Sequence, residues 1–62
     1  MSPGEKIKTI RGKRSLAEFS LRIGKPKNKV IQYETNISTP PLRILLQIAE
    51  IGNTTVDWLL RQ

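Results

Sequence analysis

The sequence predicts an all-α domain built from five short helices, and three observations lead there. Apolar residues recur three and four positions apart along most of the chain, the spacing of one helical face, and nowhere alternate with the period of two that marks a half-buried strand. Between these stretches stand Ser, Thr, Pro and Gly at positions that start and stop helices. The length of 62 residues suits one compact domain, because a chain of about 60 residues buries only about 60% of the surface it exposes when unfolded. Residues 1–62 are therefore read as a single domain.

The first helix opens at "SPGE", where Ser2 and Glu5 have capping-box spacing and Pro3 takes the first helical position. Ile7, Ile10 and Arg11 then form a narrow inward stripe, and Gly12 ends the helix. "SLAEFSLRIG" repeats the pattern: Ser15 and Glu18 make a second capping box, and Leu16, Phe19, Ser20 and Ile23 share a face. Gly24 suits a left-handed residue at its end. A third helix is predicted over 26–34, with Val30, Tyr33 and Glu34 on one face, and "TNIST" follows as a polar connection rich in turn formers. Thr39 is expected to cap a fourth helix with Pro40 in its first turn. That helix, "PLRILLQIAEIG", is apolar nearly all round through Leu42, Ile44, Leu45, Leu46, Ile48, Ala49 and Ile51, which places it at the centre of the domain. Gly52 ends it, and Thr54 or Thr55 caps a short fifth helix filled by Val56, Trp58, Leu59 and Leu60.

Charge is segregated along the chain. Eleven Lys and Arg against five Asp and Glu give a net charge of +6. Residues 1–29 hold nine basic residues (Lys6, Lys8, Arg11, Lys13, Arg14, Arg22, Lys25, Lys27, Lys29) and two acidic ones (Glu5, Glu18), a balance of +7. Residues 30–62 hold two basic and three acidic residues, a balance of −1. Such segregation favours nucleic acid as partner over a face charged only for solubility. The stretch "GKPKNKVIQYE" sharpens this, because Lys25, Lys27 and Lys29 sit at a helix start, where free N–H groups and the macrodipole favour negative charge. Phosphates from outside the chain would supply it.

Composition also excludes. There is no Cys and no His, which removes disulfides, thiolate metal sites and the commonest general base. No Gly-rich phosphate loop or clustered carboxylate pair is present, and Ser15, Ser20 and Ser38 lack a recognisable activating base. The expectation is a protein that is not an enzyme, with no cofactor, no metal and no small-molecule substrate. "MSPGEK" has no apolar signal region and no apolar run exceeds that of "ILL", so no membrane partner is expected and the localisation expected is cytoplasmic. RNA binding is the lesser variant, because three aromatic residues do not make the stacking platform typical of single-strand recognition.

Helices two and three carry the functional pattern. A helix-turn-helix needs a small residue where its helices touch, a turn residue tolerant of positive φ, and an apolar face holding the second helix to the first. Ser20, Gly24, and Val30 with Tyr33 meet these needs in order over about 15–34. Asn28 and Gln32 lie four apart on the face opposite Val30 and Tyr33, and amide side chains can pair with adenine N6 and N7.

"SLAEFSLRIGKPKNKVIQYE…PPLRILLQIAEIGNTTVDWLL" resembles the DNA-binding domain of lambdoid phage repressors and Cro proteins, the xenobiotic-response-element type of helix-turn-helix. The resemblance runs from about Glu5 to Leu60 and is plainest at Gly24, Tyr33–Glu34, "LLQIAEIG" and "VDWLL". It implies a compact five-helix, lambda-repressor-like fold and a transcriptional regulator, a repressor of phage or prokaryotic type that binds palindromic double-stranded operator DNA as a homodimer, including one that forms only on DNA. By position it implies base contacts from Lys27, Asn28 and Gln32, with a phosphate grip as the alternative for Lys27. It implies phosphate contacts at Ser15 and Leu16, where the second helix starts, and from Arg43, to which Lys25 and Lys29 are added by their charge. It also implies an ion pair between Arg11 and Glu34, two charges that fall on apolar stripes. The chain departs from the family where Lys25 replaces a usually apolar turn residue, where Pro26 replaces the usual Ser or Thr, and in its short "GKR" link.

Trp58, Leu59 and Leu60 read mainly as core, or with Ile37 or Ile44 as an apolar patch for a twin subunit. The competing function is a protein-interaction module, such as an antitoxin, which would bind a partner protein with little operator preference. The ending "LLRQ" suits either a complete small protein or the head of a longer regulator.

Overall fold

The computed structural model describes residues 1–61, which form α1 (Pro3–Arg11), α2 (Leu16–Ile23), α3 (Lys27–Glu34), α4 (Leu42–Ile51) and α5 (Val56–Leu60), with no strand among the described residues. α1 packs against α3, α4 and α5, while α2 packs against α3 and α4. The core between them takes Ile7 from α1, Phe19 and Ile23 from α2, and Val30 and Tyr33 from α3. Ile44, Leu45, Ile48 and Ala49 from α4 and Leu59 from α5 complete it. Phe19 is the largest fully buried side chain, so its truncation to Ala would cost about 3–5 kcal/mol.

Caps explain where most helices begin. In α1 the box closes in both directions: Ser2 Oγ accepts the Glu5 N–H at 3.1 Å and Glu5 Oε1 accepts the Ser2 N–H at 2.8 Å. The Ser2 N–H, and then its hydroxyl, hold the Glu5 carboxyl below the usual carboxylate range. In α2 only the forward half forms, with Ser15 Oγ accepting the Glu18 N–H at 3.1 Å, so the second box expected from sequence is a simple N-cap. Thr55, rather than Thr54, caps α5 by accepting the Trp58 N–H.

The start of α4 differs from expectation. Thr39 does not cap it; Pro41 stands at the N-cap with no side-chain bond, and the helix begins at Leu42. A residue that precedes proline is pushed towards extended backbone, so Pro40, followed by Pro41, cannot be helical at low cost. Pro41 itself is extended at φ −64°, ψ 161°.

α4 is also less central than its composition suggested. Ile44, Leu45, Ile48 and Ala49 are buried, but Leu42 is 65% and Leu46 54% exposed. A 62-residue chain has too few elements to surround one helix on every side. The burial of Ile44 and Leu59 removes both from any surface patch, whereas Leu60 and Ile37 are exposed and Trp58 is half-buried.

Lys6 belongs to the interior, although sequence places it in the basic half. It is 7% exposed, and its Nζ donates to the Trp58 carbonyl at 2.6 Å and to the Arg61 carbonyl. The same ammonium lies 4.7 Å from the Trp58 ring centroid. Carbonyl groups at a helix C-terminus carry partial negative charge, so this cation stabilises the end of α5 and ties it to α1.

Candidate nucleic-acid interface

The turn between α2 and α3 is built around Gly24 at φ 69°, ψ 32°, the left-handed conformation that L side chains adopt only at a cost. The Gly24 N–H and the Lys25 N–H both donate to the Ser20 carbonyl, which closes the end of α2. Ser20 is buried, and its hydroxyl is satisfied by the Ala17 carbonyl at 2.8 Å. The chain therefore leaves α2 through one left-handed residue and starts α3 after Pro26.

α3 is fixed to the domain by its inner face and its C-terminal end. Val30 and Tyr33 are buried. Arg11 Nε donates to Glu34 Oε2 at 2.6 Å and Arg11 Nη2 to Glu34 Oε1 at 3.3 Å, a two-pronged pair whose side chains are 17% and 8% exposed. Arg11 also donates to the Arg14 carbonyl at 2.9 Å, so the guanidinium is held from both sides. Just past α3, Asn36 adopts φ 65°, and its Oδ1 accepts the Gly4 N–H at 2.9 Å while its Nδ2 donates to Ser2 Oγ. Gly4 permits this approach: a Cβ there would lie 2.3 Å from the Glu34 carbonyl oxygen.

The amino end of α3 has the opposite character. Pro26 offers no side-chain cap and no acidic residue lies in the first turn. Lys27 and Asn28 are exposed, and Lys25 and Lys29 are half-buried beside them. Uncapped N–H groups and the positive end of the macrodipole thus coincide with three lysines in the turn and first turn of one helix, an arrangement that attracts anions. Gln32 is half-buried, and its Oε1 accepts the Ser38 hydroxyl at 3.1 Å, which orients the amide.

The other sequence-nominated positions lie on separate elements. Ser15 is exposed and Leu16 half-buried at the far end of α2, one helix length of about 12 Å from Gly24. Arg43 is exposed in the first turn of α4. Four contributors were not anticipated. Ser38 orients Gln32, Asn36 anchors the end of α3, Gly4 makes room for that anchor, and Ile31 lies exposed on the outer face. A glycine inside a helix and an asparagine in a turn are visible signals for the middle two; Ser38 carries none.

A family model described as helix-turn-helix, of the phage repressor and Cro type, matches residues 7–59. Comparison with curated proteins and with solved structures gave no match.

Proposed function

The chain belongs to the helix-turn-helix family of the phage repressor and Cro type, a family of DNA-binding regulators, and from that premise we propose that it is a sequence-specific repressor of transcription. It binds a palindromic operator as a homodimer, with α3 in the major groove of each half-site. The observation that carries this reading is the polarity of α3: its inner face and C-terminal end are anchored to α1, while its uncapped amino end presents Lys27 and Asn28 to solvent. Asn28 and Gln32 read base edges, each pairing being worth about 1–3 kcal/mol against the wrong base. Lys27 reads a base or grips a phosphate according to its reach. Lys25, Lys29, Arg43 and the backbone N–H groups at Ser15 and Leu16 hold phosphates and set the register.

Dimerisation follows from affinity, since one eight-residue helix touches few bases. Exposed Leu42, Leu46 and Leu60 supply apolar surface for a second copy. Half-sites about 34 Å apart, one turn of the duplex, are expected. Selection of binding sites from random duplex DNA tests the whole reading. A palindromic consensus, relaxed at one position per half-site by Asn28→Ala or Gln32→Ala, supports it; binding that ignores sequence and follows salt alone refutes it.

A further inference from the structure

The outer face of α3 carries an apolar side chain that neither the core nor polar readout uses. Ile31 is 45% exposed. Around the helix it falls between Lys27, four residues earlier, and Asn28, three residues earlier, away from the buried Val30 and Tyr33. Its neighbours one turn back on that face are a lysine and an amide, not apolar side chains. Its β-branch leaves χ1 one strongly preferred rotamer on a helix, which presents its methyl groups in a defined direction.

In the major groove, the group that bases offer for apolar contact is the C5-methyl of thymine. Resting on the reading of α3 as the groove-entering helix, we infer that Ile31 is a specificity-determining residue that packs on a thymine methyl in each half-site. Side chains three apart on a helix stand about 5–6 Å from each other, or one to two base steps of about 3.4 Å. The thymine therefore lies one or two base pairs from the base that Asn28 reads. Operator preference at that position comes from a methyl group and not from a hydrogen bond.

Uracil lacks only that methyl, and this makes the test clean. In the site selected from random duplex DNA, each thymine is replaced singly by uracil, and affinities of the wild type and Ile31→Ala are measured by fluorescence anisotropy at fixed salt. At one thymine per half-site, next to or one removed from the position relaxed by Asn28→Ala, uracil weakens wild-type binding about fourfold, the worth of one buried methyl group. Ile31→Ala binds the thymine and uracil duplexes within about 1.5-fold of each other, since the contact is already gone. Equal uracil sensitivity in both proteins, or none at any thymine in the wild type, overturns the inference and leaves operator binding standing. A selection with no preferred site overturns both. The wild-type uracil scan needs no variant, so poor folding of Ile31→Ala does not protect the inference from refutation.

Discussion

Replacing Glu34 by Ala removes the partner of a guanidinium that is only 17% exposed and leaves that charge facing the inner side of α3. Loss of one partner from a buried pair costs about 3–5 kcal/mol, most of it the penalty on the surviving charge. Arg11 keeps some contact with water and its bond to the Arg14 carbonyl, which reduces the expected loss to about 2–3 kcal/mol. A domain of this length is stable by about 3–9 kcal/mol, so the fraction lost is large and Tm should fall by about 10–20 °C. The double replacement Arg11→Met with Glu34→Leu leaves no orphan charge and fills similar volume, with an expected cost below about 1 kcal/mol. Urea unfolding followed by far-UV circular dichroism on wild type, Arg11→Met, Glu34→Leu and the double variant closes the cycle, with Glu34→Ala measured beside it. Single variants that each lose less than about 0.5 kcal/mol, or a double variant that loses the sum of the two, would refute the reasoning.

Gly4→Ala forces a Cβ to 2.3 Å from a backbone oxygen that cannot swing aside, and a loss of about 2 kcal/mol or more is expected in thermal melting. Lys6→Met keeps the stem but deletes the ammonium that binds the Trp58 and Arg61 carbonyls; about 1–2 kcal/mol should be lost in urea, with a changed Trp58 emission. The Glu5 carboxyl is held below its usual range in the folded state, so the cap contributes fully above the ordinary carboxylate range and is lost as pH falls through the lowered value. Glu5→Gln should accordingly flatten the acid side of a plot of Tm against pH. On operator DNA, Lys25→Ala should weaken binding to all sequences alike and reduce the slope of log affinity against log salt by about 0.9.

The repeated cap and stop signals make the five helices legible in the sequence. Ser2, Ser15 and Gly24 act over one turn of chain, and their effect depends only on neighbours within four residues. The same locality governs the start of α4: two adjacent prolines compete for one helix start, and the restriction on the residue before a proline decides for Pro41. The buried faces of α2 and α3 were legible from spacing, and the burial of α4 was overestimated because composition does not say which side of a helix has neighbours. Asn28 and Gln32 could be nominated because both their chemistry and their helical face are local properties, whereas Lys27 was nominated by the family resemblance.

Long-range partners are another matter. Lys6 and Trp58 are 52 residues apart, Gly4 and Asn36 are 32 apart, and Arg11 and Glu34 are 23 apart. The last was expected only through a family resemblance, and the other two were not expected at all. By itself the sequence determined helix number, the helix ends other than the start of α4, the left-handed turn before α3 and the excess of positive charge in the first half. Tertiary structure alone decided which positive charges stay free, since burial of Lys6 and pairing of Arg11 depend on what α5 and α3 bring to α1. It also decided that the outer face of α3 includes Ile31 and a Gln32 already oriented by Ser38. The physical reason is that capping and backbone conformation act through adjacent residues, whereas desolvation and charge pairing act through whatever the fold brings within a few ångströms.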